Sequence, residues 1–458
     1  MARSVQISSA LARPLGDLRQ IGPRLARLRR SDQVALALAA IALLAGAALR
    51  LHAIGADDRL SSDELGYIGA ANRLITLSGY GSFHWAPGTP ILFTVVAWLS
   101  GHSEISAVTH SHGIAQYVQW LVEVTTLGVA GAIAWRLAGC WAALLAVLGL
   151  ATYGPLIAVT HSYLSEPLGG LMALVMVGVA SYARAREWRW LVAAGALGGL
   201  ACLAREDLVP GLVTLTLALA LARTGSRRRA LRRATIYLAA ALVTLAPWVA
   251  FASVEQHTLV AITTGGTDSL FIGTYLPGDG SQFQTVEAFR PAVCRRFPSD
   301  CNTPPGDAAP MFALITAQHP GDSRNQAITA AVLSNLRKYM LGRPLSFAAL
   351  LARKLWGMWS APWSGGNGTR LAPAGIAASL DLAAVAAAWL GLLLALWLCR
   401  RRWSVIVPAL ALLAIVFFND WFGPAPRDTL RLVPLLFVLG ASGLTIAAKR
   451  IANTCSRG

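Results

Sequence analysis

The sequence predicts an all-α polytopic membrane protein: about ten transmembrane helices, amphipathic surface helices in the first outer loop, and one long extracytoplasmic loop. Three observations carry that expectation. Of 458 residues, 55% are hydrophobic and only 13% charged, against roughly 25% charged in soluble proteins. The mean hydropathy is +0.54, and apolar runs approaching the ~20 residues needed to cross a bilayer recur along the chain. The formal net charge of +17 is dealt out in short arginine clusters between those runs. That fits the positive-inside bias and argues against a nucleic-acid partner, which would need one basic face.

Residues 1–32 read as a cytoplasmic tail. Arg13, Arg19, Arg24, Arg27, Arg29 and Arg30 favour anionic membrane lipids, and no hydrophobic core with a small-residue cleavage site marks a signal peptide. A transmembrane module is expected over 33–252, with its first span at 34–54 and its first outer loop at 55–88. That loop holds Asp57, Asp58, Asp63 and Glu64. Within it, 62–77 carries an apolar face of Leu65, Ile68, Leu74 and Ile75, as a helix lying on the surface would. The run 90–100 is too short to cross and reads as re-entrant or interfacial.

Further spans are expected at 112–135, 140–159, 167–182, 190–203, 208–222 and 236–252. The stretch 253–370, rich in Gly, Pro, Thr and Asp, is the long loop, expected to carry interfacial helices and to close over a cavity as a lid. The C-terminal part, 371–458, adds spans at 374–398, 404–418 and 432–448.

Charge fixes the expected orientation. With 90–100 not crossing, Arg136, the Arg184–Arg186–Arg189 cluster, Arg223 with the arginines of 227–233, Arg400 to Arg402, and Lys449–Arg450 all fall inside. Asp63–Glu64, Ser165–Glu166, Arg205–Glu206–Asp207, the long loop and the turn 419–431 then share the outer face. Polar groups from five distant turns meeting at one membrane boundary describe a substrate cavity.

Cys140, Cys202, Cys399 and Cys455 lie in or near spans and read as packing residues. Cys294 and Cys301 lie in the long loop and are candidates for an intraloop disulfide, favoured over zinc because no CxxC or histidine pair completes a site. Trp356, Trp359 and Trp363 suit an aromatic belt, with sugar stacking the sharper alternative. The Thr-Thr-Gly-Gly-Thr run at 263–267 lacks the lysine of a phosphate loop. Asn367-Gly368-Thr369 matches a short, common sequon.

An ordered set of motifs carries a resemblance. Asp63-Glu64-x-x-Tyr67 follows the first span, then His84-Trp85-Ala86-Pro87-Gly88-Thr89-Pro90. Ser165-Glu166-Pro167 opens a span, Arg205-Glu206-Asp207 closes one, Arg353-Lys354-Leu355-Trp356 leads a Trp-rich stretch, and Pro426-Arg427-Asp428-Thr429-Leu430-Arg431 lies in the last hairpin. Over nearly the whole chain this order resembles the GT-C superfamily of membrane glycosyltransferases, in the branch of the protein O-mannosyltransferases and lipid A aminoarabinose transferases.

The resemblance implies inverting transfer of a sugar from a polyprenyl-phosphate donor to a lipid, polysaccharide or protein acceptor at the extracytoplasmic face. It makes Asp63 the general base, with Glu64 beside it as second catalytic candidate. A carboxylate in reach of the acceptor hydroxyl takes its proton as the new bond forms. Cations should stabilise the leaving phosphate, and Arg205, Arg431, Arg353 and Lys354 are the candidates. Tyr67, His84, Glu166 and Glu206 are expected to line the cavity.

The chain departs from some relatives in having His84 and Trp85 where they carry a second acidic residue. No metal site is therefore assigned. His84, His110, His112 and His161 fall outside, so a divalent ion stays open; no other cofactor is implied. Arg-heavy, Lys-poor usage suggests a bacterium, hence an inner-membrane protein with its site facing the periplasm. The competing readings are a polysaccharide ligase or polymerase, a lipid-linked sugar transporter or flippase, and a non-catalytic envelope protein.

Overall fold

The computed structural model describes residues 29–54, 60–105, 113–183, 188–222, 226–304, 306–361, 363, 374–400, 402–422 and 426–455. The tail arginines before residue 29, Asp57, Asp58, His110, His112, Arg184, Arg186, Arg223, Arg401, the sequon at 367–369 and the side chain of Cys455 lie outside the described set.

Every regular element among the described residues is a helix. The first group is α1 (Arg30–Ala53), α2 (Ser62–Ile75), α3 (Gly88–Leu99), α4 (Ile114–Ala138), α5 (Cys140–Thr152), α6 (Gly154–Val159) and α7 (Glu166–Ala183). Next come α8 (Trp188–Ala204), α9 (Val209–Leu221) and α10 (Arg227–Glu255). The stretch expected as a loop holds α11 (Gly266–Thr274), α12 (Gln282–Arg296), α13 (Ala309–Ala317), α14 (Arg324–Asn335) and α15 (Pro344–Ser360). The chain closes with α16 (Ala374–Leu398), α17 (Trp403–Asp420) and α18 (Val433–Cys455).

Six of these, α1, α4, α10, α16, α17 and α18, are long and apolar enough to cross a membrane, and α3, α5, α7 and α8 are shorter apolar helices. One expected span, 140–159, is broken. α5 stops at Thr152, Tyr153 is extended, and α6 restarts at Gly154, whose N–H donates to Asp381 of α16 at 3.0 Å. Pro155 sits in the first turn of α6, where its missing N–H costs nothing.

The carbonyls freed at the end of α5 are taken by Arg50 of α1. Its guanidinium donates to Leu150 O at 2.8 Å and Ala151 O at 3.3 Å, and pairs with Glu123 of α4 at 3.3 Å. Arg50 is fully buried, so a charge that would be costly in lipid is spent on joining three helices. Elsewhere small residues set the spacing: a Cβ on Gly443 of α18 would collide with the Gly391 carbonyl of α16.

The described part of the 253–370 stretch is largely helical. Phe271, Ile272, Val286, Met311, Phe312, Ile328 and Val332 form a core of their own, and a disulfide joins Cys294 to Cys301. α15 then runs back to the bundle, burying Phe347, Leu350, Lys354 and Met358 and leaving Trp356 exposed. It packs against the 426–429 turn between α17 and α18.

Candidate active site

The amphipathic α2 places the first two candidates. Ser61 and Glu64 form a reciprocal capping box: Glu64 Oε2 accepts from Ser61 N at 2.9 Å and from Ser61 Oγ at 2.8 Å. Glu64 Oε1 accepts from Tyr163 N at 3.0 Å, which pins α2 to the segment before α7. Glu64 is buried, and its two oxygens accept from Ser61 and from the Tyr163 backbone. Asp63, one position earlier, points elsewhere. Its side chain is 34% exposed, and its Oδ2 accepts from Arg427 Nη2 at 2.5 Å.

Arg427 leads into an ion-pair lattice built from four separate turns. Its Nε lies 3.0 Å from Glu166 Oε1, and Arg205 Nη1 lies 3.3 Å from the same oxygen. Arg205 also reaches Asp207 at 3.3 Å and Asp428 at 3.8 Å, and donates to Ser165 Oγ at 2.7 Å. Ser165 shares a 2.8 Å hydrogen bond with the Tyr67 hydroxyl, closing the lattice back onto α2. Gly169, one turn into α7, makes room for this: a Cβ there would sit 2.7 Å from Arg205 Cδ.

Arg431 forms the floor. It pairs with Asp207, donates to Asp428 at 2.8 Å and to Asn419 Oδ1 at 2.8 Å, and its side chain is 2% exposed. Arg427 and Arg205 are more open, at 28% and 16%. The two guanidiniums with open surface are therefore Arg427 and Arg205, while Arg431 is buried against Asp207 and Asp428.

Burial opposes the charge on Arg205, but Asp207 and Glu166 outweigh it and hold its pKa above the ordinary guanidinium value. The same balance, with Glu166 and Asp63 as the main partners, raises Arg427. Glu206 is pushed the other way for an acid: burial and repulsion by Asp207 raise its pKa against the pull of Arg205. Both Glu166 oxygens and Asp207 Oδ1 are buried without a directed hydrogen bond, despite the cations beside them. The contacts around these oxygens are ion pairs rather than aligned hydrogen bonds.

The other expected cations divide. Lys354 is buried, donates to Gly273 O at 2.9 Å, and feels Asp420 and Asp279. Burial brings its pKa down to about 8. Arg353, on the outer face of α15, is exposed and pairs with Asp279 at 2.6 Å. His84 is exposed; its ring stands edge-on to Trp85 at 5.0 Å, and a Cβ on Gly265 would meet it at 2.7 Å. Phe83 O accepts from Thr264 N at 2.7 Å, so the His-Pro stretch and the Thr-Gly run form one wall.

Among the described residues no group of three His, Cys, Asp or Glu is arranged to hold a metal ion. Asp63, Glu166, Asp207 and Asp428 are each matched to at least one guanidinium. The donor set here fits ion pairing better than a resident cation.

Arg427 was not singled out from sequence, although it lies in the Pro-Arg-Asp-Thr-Leu-Arg motif four residues before Arg431. The Ser-x-x-Glu box at Ser61 was the signal that would have separated Glu64 from Asp63. Asp420, which neighbours Lys354 electrostatically, was also passed over.

These features define a helical membrane protein with a carboxylate–guanidinium site where the ends of α7, α8, α17 and α18 converge with α2, and its fold is similar to that of a solved archaeal oligosaccharyltransferase. The archaeal oligosaccharyltransferase AglB from Archaeoglobus fulgidus, in complex with an inhibitory peptide and a dolichol-phosphate, superposes with a TM-score of 0.51 at 13% identity. The alignment covers 92% of this chain and 51% of that one. The apo form of the A. fulgidus oligosaccharyltransferase gives 0.52 at 14% identity, again over 92% and 51%. The chain thus spans about half the length of these oligosaccharyltransferases. ArnT from Cupriavidus metallidurans, bound to undecaprenyl phosphate, aligns over 92% of this chain and 79% of its own at 17% identity, with a TM-score of 0.39. No protein-family model and no curated protein matches the sequence.

Proposed function

We propose that this chain is a membrane glycosyltransferase that moves a sugar from a polyprenyl-phosphate donor to an acceptor hydroxyl at the extracytoplasmic face, with Asp63 as general base. The observation that carries the reading is the position of Asp63: a partly exposed carboxylate on a rigidly capped helix, one oxygen held by Arg427. The other oxygen has no hydrogen-bond partner among the described residues. A fold shared with an oligosaccharyltransferase solved with a dolichol-phosphate and a peptide is in keeping with it.

In this scheme the acceptor oxygen attacks the anomeric carbon as the bond to the donor phosphate breaks. The hydroxyl proton passes to Asp63, and the bonding pair leaves with the phosphate. Arg427 and Arg205 face the departing phosphate in this scheme, so the growing negative charge meets preorganised donors, and Lys354 on α15 is a further candidate cation. Glu166 holds both arginines, and Arg431 with Asp207 and Asp428 keeps that pair aligned. Glu64 positions Asp63 by fixing the first turn of α2.

The test is transfer from a panel of radiolabelled polyprenyl-phosphate monosaccharides by protein in lipid nanodiscs, wild type beside Asp63→Asn. Turnover that falls by ~10²–10⁴-fold in the variant is the expected result. Undiminished turnover would remove Asp63 from the role, and substrate-dependent lipid movement without transfer would favour a flippase.

A further inference from the structure

The opposite end of the bundle carries a second polar site. Where α4 hands over to α5 and α16 to α17, a cavity of about 350 Å³ is lined by Arg136, Gly139, Arg402, Ile446, Lys449 and Arg450, among others. We propose that it binds the headgroup phosphate of an anionic glycerophospholipid.

Four cations converge on the cavity. Lys449 spends one donor on Ala138 O at 2.7 Å and Arg450 one on Leu398 O at 2.9 Å, which caps the ends of α4 and α16 and leaves their remaining N–H groups for a ligand. Arg402 is exposed and bonds none of the described residues through its side chain, and Arg136 is exposed as well.

Two helices also begin at this cavity. Gly139 is the N-cap of α5 and Arg402 the N-cap of α17, and neither start is closed by a side-chain cap. Both N-cap residues line the cavity. Helix N-termini present backbone N–H groups and a positive dipole end, so they add anion-binding capacity to the four side chains. Gly139 has a φ of +98°, the region where a side chain is disfavoured, so the tight turn between α4 and α5 that shapes the cavity depends on it.

The level of the cavity selects a lipid over a soluble anion. Trp135, Trp141 and Trp397 are exposed at the same helix ends, as residues of an interfacial aromatic belt are. Ile446 and Leu137 supply apolar walls on which acyl chains can lie. A phosphate anchored here would have its chains beside the bundle, at headgroup depth.

The experiment uses the full chain in nanodiscs of phosphatidylcholine and phosphatidylglycerol in equal amounts, with retained lipid read by native mass spectrometry. Arg136→Gln/Arg402→Gln is compared with Arg228→Gln/Arg229→Gln, a charge-matched pair at the exposed start of α10 outside the cavity. The wild type and the α10 variant should retain phosphatidylglycerol selectively. The cavity variant should lose roughly tenfold or more of that retention, the effect of one or two charge-assisted bonds. Arg402→Gln alone serves if the double variant does not fold. Equal retention by the cavity variant overturns the site. So does equal loss in the α10 variant, which would reduce it to surface charge. A cavity that takes inorganic phosphate while showing no preference for phosphatidylglycerol overturns the lipid assignment.

Discussion

Asp63 and Glu64 are adjacent and chemically alike, yet the structure gives them opposite sensitivities to the same isosteric change. The Asp63–Arg427 pair is about one-third exposed on each side, so its loss should cost no more than ~1 kcal/mol of stability. If Asp63 is the base, Asp63→Asn lowers turnover by ~10²–10⁴-fold, which is about 2.7–5.5 kcal/mol of barrier. Glu64→Gln faces a different constraint. One carboxylate oxygen serves Ser61 and the other serves Tyr163 N; an amide has one acceptor oxygen and must aim its NH₂ at a backbone donor. A buried N–H left without an acceptor costs ~1–3 kcal/mol. Thermal unfolding in detergent and single-turnover transfer in nanodiscs, run on both variants, separate the two. The expected pattern is a stable, inactive Asp63→Asn and a destabilised Glu64→Gln whose remaining folded fraction still turns over. The reverse pattern, or comparable destabilisation in both, would refute the division of roles.

Further outcomes follow from the same geometry. With its pKa at about 8, Lys354 loses its charge as pH rises through that value, so the apparent donor KM should climb above about pH 8, and Lys354→Arg should move that limb upward. Its folded pKa lies below the unfolded value of 10.5, so the Lys354 contribution to stability should rise, not fall, between pH 8 and 10.5. For Glu206 the folded pKa lies above the unfolded 4.5, so wild type loses stability as pH rises from there. Glu206→Gln should therefore melt higher than wild type at neutral pH, with the gap closing as pH falls toward 4.5. Arg50→Met should cost ~3–5 kcal/mol, because it leaves Glu123 buried without a partner. Adding Glu123→Leu should restore much of that loss in melting experiments.

The class and the clustering of polar turns were legible because both follow from local chemistry: apolar runs, arginine spacing and polar residues at span ends. The lattice that gives each residue its role was not, since Asp63 meets Arg427 across 364 residues. Glu64 is expected as a second catalytic candidate and Arg431 as a phosphate-binding one; the contacts that cap α2 through Glu64 and bury Arg431 against Asp207 and Asp428 are not visible in a motif. The 253–370 stretch is expected to carry helices, but not the core they share. Its helices are short, and Phe271, Phe312 and Ile328 assemble a core no periodicity count would join. The break at Tyr153 depends on Asp381, 227 positions away from Gly154.

The Arg50–Glu123 pair also bears on how the protein is made. A charged residue near a span costs a few kcal/mol to release into lipid, roughly 2.5–3.5 kcal/mol at its centre. α1 and α4 each contribute one member of this buried pair, and the two acceptor carbonyls on α5 come later still. Efficient biogenesis would keep α1 at the insertion machinery until α4 and α5 have been synthesised, so that the three leave together as one neutral unit. A nascent chain truncated before residue 123 should crosslink to the translocon through α1, and one extending past 151 should be released.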